Sequence, residues 1–259
     1  MLLMLLTILL ISFLFAPLGC VMLWQRYNHF SDGLAHACLF SGILSYYLNF
    51  PQLISVVVVG LVFASLVFIL KFYSNKNTVI NLVSSAMIAA AIIFASKIPE
   101  TSILEKMLFG DILSTSWNDL VTLFVILVIV VLLLSRFLNQ LVVLSLSSDL
   151  ASVNKVPVNI LELSVLLILS LVASVSIKIV GALLITALLV IPPAGARLIS
   201  DTPLKMILYS IIISLVSGIA GFVISFSFDW PLSPTIAIMS VIIYGITALI
   251  HSMHKRGSI

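Results

Sequence analysis

The sequence predicts an all-α integral membrane protein, a polytopic helical bundle of about eight to nine transmembrane helices with residues 1–259 forming a single domain. Three observations carry that expectation. Hydrophobic residues make up 62% of the 259 and charged residues only 8%, whereas soluble domains run near 25% charged. The apolar runs last 18 residues or more, enough for a helix to cross a hydrocarbon layer about 30 Å thick. They do not alternate in short segments as the strands of a membrane barrel do.

Taken in order, nine candidate spans emerge, at about 2–24, 33–49, 52–72, 79–97, 119–138, 159–176, 178–197, 204–225 and 234–252. The chain is apolar from Met1, and its first basic residue is Arg26. A cleaved leader carries positive charge ahead of its apolar core, so residues 2–24 read as a retained first span. The fourth span sets small residues about four apart, at Ala86, Ala90, Ala91 and Ala95, which lets backbones approach. The sixth and seventh are divided only by Ser176-Ile177-Lys178. The eighth and ninth are divided by Asp229-Trp230-Pro231 and Pro234. Pro192 and Pro193 are expected to kink or end the seventh helix, with Pro192 marking a stop at the cytoplasmic surface.

Basic residues set the direction. With the N-terminus outside, the inner segments hold Arg26, Lys71, Lys76, Arg136, Lys155, Arg197, Lys205, Lys255 and Arg256. The outer segments hold Lys97, Lys106 and Lys178. That asymmetry is what insertion demands and puts the C-terminus in the cytoplasm. The net charge of +3 therefore speaks to topology, not to nucleic acid. Between spans, the outer stretch 98–118 contains the amphipathic run from Leu104 to Leu113, either a surface helix for an extracellular partner or an interfacial loop. The inner stretch 139–158 offers Ser147 or Ser148 as a cap, Asp149 in a first turn and Pro157 as a stop. A short cytoplasmic helix there would dock another protein.

One polar constellation stands inside the apolar frame: Ser31-Asp32-Gly33-Leu34-Ala35-His36-Ala37-Cys38. On a helix, Asp32 and His36 share a face about 6 Å apart. A carboxylate within a span costs about 2.5–3.5 kcal/mol near the centre, so it is rare and tied to a partner or a pathway. Asp and His suit a divalent metal. The plainer alternative is that Asp32 and Ser31 cap the helix and His36 is a satisfied interior residue. Gly33 in the same turn costs about 1 kcal/mol relative to Ala. Cys20 and Cys38 read as small interior hydrophobes. No Gly-x-x-x-x-Gly-Lys phosphate loop, His-Glu-x-x-His or Gly-x-Ser-x-Gly occurs, so the chain has no nucleotide site of its own and no visible catalytic set. A transporter is expected; a proton-coupled carrier would also use a membrane carboxylate.

Several blocks resemble a known family. Trp24-Gln25-Arg26 through Phe30-Ser31-Asp32-Gly33-Leu34-Ala35-His36-Ala37 is similar to a segment of zinc-uptake ABC transporter permeases of the ZnuB type. So are Leu108-Phe109-Gly110-Asp111-Ile112-Leu113, Ser148-Asp149-Leu150-Ala151, and the block from Val180 to Pro192. The resemblance covers almost the whole chain, with departures at Asn81, Ser84, Pro193 and Gly195. It implies a vitamin-B12-importer-like (type II ABC importer) fold and a homodimer in the bacterial inner membrane. It implies cytoplasmic ATPase subunits as the motor, a periplasmic or surface metal-binding protein as the donor, and no nucleic-acid partner. It implies no permanent cofactor, with zinc as the transported substrate and manganese or iron as rivals. Asp32 and His36 then form a transit site, and Ser148, Asp149, Leu150 and Ala151 an ATPase-coupling loop.

Overall fold

The protein is described by a computed structural model covering residues 1–96, 110, 112, 115–147, 151, 153 and 156–256, with side chains as far as residue 253. Among these residues nine helices appear: α1 Leu2–Trp24, α2 Phe30–Leu48, α3 Gln52–Leu70, α4 Lys76–Ala95, α5 Trp117–Leu146, α6 Val158–Val180, α7 Ala182–Ile199, α8 Pro203–Phe228 and α9 Leu232–Arg256. Eight are long and apolar enough to cross a membrane. The exception is α2, 19 residues long and diluted by Asp32, His36 and three serines.

Local chemistry sets several starts. The Asn75 side chain accepts from the Asn77 backbone N–H, and Ser116 and Asp119 form a reciprocal capping box at α5. Pro203 opens α8 behind the Thr202 cap. Pro51 and Pro157 stand just ahead of α3 and α6.

Contacts between helix termini fix which ends lie together. At one end, Gln25 after α1 donates from Nε2 to the Leu141 carbonyl late in α5, 3.1 Å away. Trp24 Nε1 lies 3.1 Å from Met206 Sδ early in α8. Lys71, capping α3, and Lys76, opening α4, both pair with Glu162 in the first turns of α6. At the opposite end, Lys178 near the end of α6 lies 3.8 Å from Asp119 at the start of α5, and Ser233 of α9 donates to the Val180 carbonyl. Consecutive helices therefore alternate in direction. Because α1 and α3 both finish at the Glu162 end, α2 must traverse the bundle despite its lower hydropathy.

Three boundaries differ from expectation. The break between α6 and α7 falls at Gly181, not at Ser176-Ile177-Lys178. There φ is +80°, and Gly110, with φ +66°, packs so closely that a Cβ on it would lie 2.3 Å from the Gly181 nitrogen. Only glycine satisfies both demands, which gives a physical reason for the Phe109-Gly110-Asp111 signature. Second, α5 runs on to Leu146, about 45 Å at 1.5 Å per residue, and projects past a 30 Å core. Third, α7 does not end at its prolines: it continues to Ile199 with both inside. Pro193 frees the Leu189 carbonyl of its usual donor. That oxygen is pressed against α1 at Gly19, where a Cβ would come within 2.2 Å. The interruption thus lies inside protein, where such a defect is tolerated.

Candidate functional site

Helix α2 is anchored on one flank and open on the other. Ser31, Gly33, Leu34, Ala37, Cys38 and Ser41 face inward. Gly33 abuts its neighbours: a Cβ there would stand 2.7 Å from Ile80 Cγ2 and 2.9 Å from Phe63 Cζ. The residue that costs helix propensity is the one that lets α2 close on α3 and α4. Asp32 and His36, one turn apart, both face outward and are exposed in the single chain. The capping alternative fails. The helix begins at Phe30 with His29 at the N-cap, no side chain caps it, and Asp32 lies within the first turn.

The open flank carries more polar groups than α2 supplies. Helices α2 and α4 run in the same direction and meet where Gly33 backs onto Ile80 and Ser84. In such a parallel pair, the position before the contact on one helix and the positions after it on the other turn to the same side. Asn81 and Ser85 therefore flank Asp32 and His36, and both are exposed. They repeat the same i, i+4 spacing, a signal present in the sequence that the apolar pattern of the span obscured. Toward the far end, Phe40 and Tyr47 of α2 pack on Phe94 of α4 at ring distances of 6.1 and 5.9 Å. The Tyr47 hydroxyl donates to the Phe94 carbonyl.

Counted along α2, Asp32 lies only about 3 Å from the start of its helix. Its depth in the molecule is greater. Gly33 is level with Phe63, seven residues or about 10 Å before the end of α3. In the turn leading into α2, Gln25 and Tyr27 point inward, 5% and 0% exposed, while Arg26, Asn28 and His29 are exposed. Beneath it sits the Lys71–Glu162–Lys76 cluster, with side-chain exposures of 6%, 9% and 32%. Lys76 lies 4.5 Å from the Tyr27 ring centre, and Tyr27 packs edge-on against Phe30, the first residue of α2. Burial, and secondarily the Glu162 charge, push the Tyr27 hydroxyl pKa above its ordinary value. Its oxygen has no hydrogen-bond partner.

Ser148, Asp149 and Leu150 lie outside the described residues, as does most of the run from Leu104 to Leu113. Ala151 is fully buried against Leu144 and Leu161, beside the ends of α5 and α6. Among the described residues no three metal-ligating side chains come together; one chain brings the Asp32–His36 pair alone. Cys20 and Cys38 are buried free thiols, as expected of interior hydrophobes.

A bundle of alternating apolar helices, with an ionisable pair displayed on one flank, is the architecture of a polytopic membrane transport protein. The family model of the ABC 3 transport family matches residues 1–251, and the chain belongs to that family. It is 30% identical to the high-affinity zinc uptake system membrane protein ZnuB of Buchnera aphidicola subsp. Acyrthosiphon pisum, covering 89% of this chain and 90% of the relative. It is 27% identical to the manganese import system permease protein ScaB of Streptococcus gordonii, covering 93% of this chain and 87% of the relative. The solved structure of PsaBC from Streptococcus pneumoniae in complex with Fab superposes with a TM-score of 0.81 at 26% identity, covering 94% of this chain and 89% of that one. The fold is that of type II ABC importer permeases.

Proposed function

We propose that this chain is the membrane permease subunit of an ATP-driven importer of a divalent metal ion, zinc. It works as a homodimer in a bacterial cytoplasmic membrane, with its N-terminus outside and C-terminus inside. The observation that carries the reading is the outward display of Asp32 and His36 on α2. An aspartate facing lipid costs about 2.5–3.5 kcal/mol near the centre of a span. Covering the flank with a second copy removes that exposure and doubles the ligands, since a two-fold interface presents the same patch from both sides. Two carboxylates and two imidazoles match the four-coordinate preference of zinc. A seat divided between two chains holds the ion only while they are apposed, as a pathway that must also release requires.

Asn81 and Ser85 line the same passage and offer neutral oxygens to an ion moving past. Cytoplasmic ATPase subunits engage the segment Ser148–Ala151, whose Ala151 packs beside the ends of α5 and α6, and a metal-binding protein delivers zinc outside. Zinc is favoured over manganese by the segments around Asp32 and by the higher identity to a zinc system than to a manganese system, 30% against 27%.

The test is uptake of zinc, manganese and iron, measured separately, in cells or vesicles carrying wild type, Asp32→Ala or His36→Ala at equal membrane abundance. Zinc uptake should be the fastest of the three and should collapse in both variants. Wild-type zinc uptake by either variant refutes the site. Asp149→Arg should reduce recovery of the ATPase with the permease, and undiminished recovery refutes the docking role.

A further inference from the structure

We infer that the chain holds an anionic phospholipid of the cytoplasmic leaflet in a cleft between α1, α5 and α6. The cleft has two parts of different chemistry. The first is an apolar groove of about 420 Å³, lined by Val21 of α1, Leu134 and Phe137 of α5, and Leu161, Val165 and Ile168 of α6 among others. On α6 its lining runs from Pro157 to Ile168, and on α5 from Val130 to Leu141. Each is twelve residues, eleven steps of rise or about 16 Å, close to half of a 30 Å hydrocarbon core and therefore one leaflet deep.

The second part is a polar cavity of about 400 Å³, lined by Trp24, Arg26, Lys76, Ser145, Val158 and Glu162 among others. It adjoins the groove: toward the cytoplasmic end Val21 of α1 is followed by Trp24 and Leu141 of α5 by Ser145, while in the first turns of α6 Leu161 lines the groove and its neighbour Glu162 the cavity. On α1 and α5 apolar wall gives way to polar wall toward the cytoplasmic end, in the order in which a lipid's chains give way to its headgroup.

The charges select the headgroup. Lys71 and Lys76 both pair with one carboxylate, Glu162, and Arg26 lines the same cavity as Lys76 and Glu162. Among the described residues no carboxylate lies within ion-pair distance of Arg26. Arg26 also occupies the left-handed position after α1, with φ +61°. The Tyr27 N–H there bonds the Met22 carbonyl, and the Arg26 N–H bonds the Leu23 carbonyl. Glycine ordinarily fills that position; here it aims a guanidinium at the cavity. Basic pockets between membrane helices at the cytoplasmic face suit anionic lipid headgroups. The groove is also the wrong place for the second copy. Helix α5 packs on α1 and α6, whereas the Asp32–His36 flank belongs to α2 and α4. The proposal rests on the orientation given above, and its location beside Ser147 and Pro157 puts a lipid at the helix ends that flank the proposed ATPase-coupling segment.

Trp24 supplies the test. The full chain carrying Trp117→Phe and Trp230→Phe is reconstituted in vesicles. Quenching of Trp24 by phosphatidylglycerol with brominated chains is compared with quenching by phosphatidylcholine bearing the same chains. Phosphatidylglycerol should be preferred, Arg26→Gln should cut the preference about fivefold, Arg26→Lys should keep it, and Ser164→Phe, which fills the groove, should abolish quenching by both. Equal quenching by the two lipids overturns the proposal, as does a preference untouched by Arg26→Gln. Displacement by millimolar glycerol phosphate shows a free-phosphate site instead, and a disulfide-linked dimer from Ser164→Cys shows that a second copy covers the groove; either overturns it. The readout uses no zinc, so its failure leaves the transport reading standing, and loss of the transport reading leaves this one measurable.

Discussion

Replacing Glu162 by Ala tests whether the cluster beneath α2 holds three helix termini together. The substitution leaves Lys71, 6% exposed in its side chain, and Lys76, 32% exposed, without their carboxylate. Breaking one partner out of a buried charge pair costs about 3–5 kcal/mol. Lys76 regains water by turning outward, and Lys71 keeps the Phe68 ring 4.1 Å from its nitrogen, an attraction of about 1–2 kcal/mol. The expected loss is therefore near the lower end, about 3 kcal/mol, a large share of the roughly 5–15 kcal/mol that holds a folded domain together. The double variant Lys71→Met with Glu162→Gln removes the buried charge along with its partner and should recover to within about 1 kcal/mol of wild type. The assay is equilibrium unfolding in mixed micelles with rising dodecyl sulfate, followed by circular dichroism. A single variant that loses less than about 1 kcal/mol, or a double variant no better than the single, refutes the reasoning.

Three further outcomes follow from the geometry. Gly33→Ala gains about 1 kcal/mol of helix propensity, but its Cβ would meet Ile80 and Phe63 at 2.7 and 2.9 Å. Unfolding should therefore show a net loss of about 1–2 kcal/mol, and a stabilised variant contradicts the packing argument. Tyr27→Phe removes a buried hydroxyl that has no partner, so stability at neutral pH should hardly change. Because the folded pKa of Tyr27 is raised, its contribution is fully present below the ordinary value of about 10 and is lost as pH rises through the folded value. The variant should accordingly be less sensitive to alkali than wild type, and identical alkaline unfolding curves would exclude that linkage. Ser85→Cys, with Cys20 and Cys38 replaced by Ala, should give a cross-linked dimer under mild oxidation; monomer alone places the two-fold axis elsewhere.

Much of the fold was legible because membrane insertion reads local properties. Nine apolar runs, their alternation and the basic asymmetry all belong to short windows of sequence, and the helices fall where those windows lie. The misplaced boundaries have tertiary causes. Lys178 marks a break to a hydropathy scan, yet it continues α6 and reaches Asp119. The actual corner is Gly181, fixed by its contact with Gly110. Pro192 read as a stop, but the helix runs on through both prolines, and α1 covers the Leu189 carbonyl that Pro193 leaves free. Glu162 went unnoticed as one acidic residue in an apolar run; its partners lie 91 and 86 residues away.

The sequence alone determined the membrane class, the positions of the apolar runs and the Asp32–His36 pair, because hydropathy and helical spacing need no distant partner. Only the tertiary structure decided that the pair faces outward, that Asn81 and Ser85 join it, and that α2 sinks about 10 Å inside the end of α3. Which side of a helix is left uncovered depends on what packs against the other side, and at α2 that is Phe63 and Ile80 closing on a glycine.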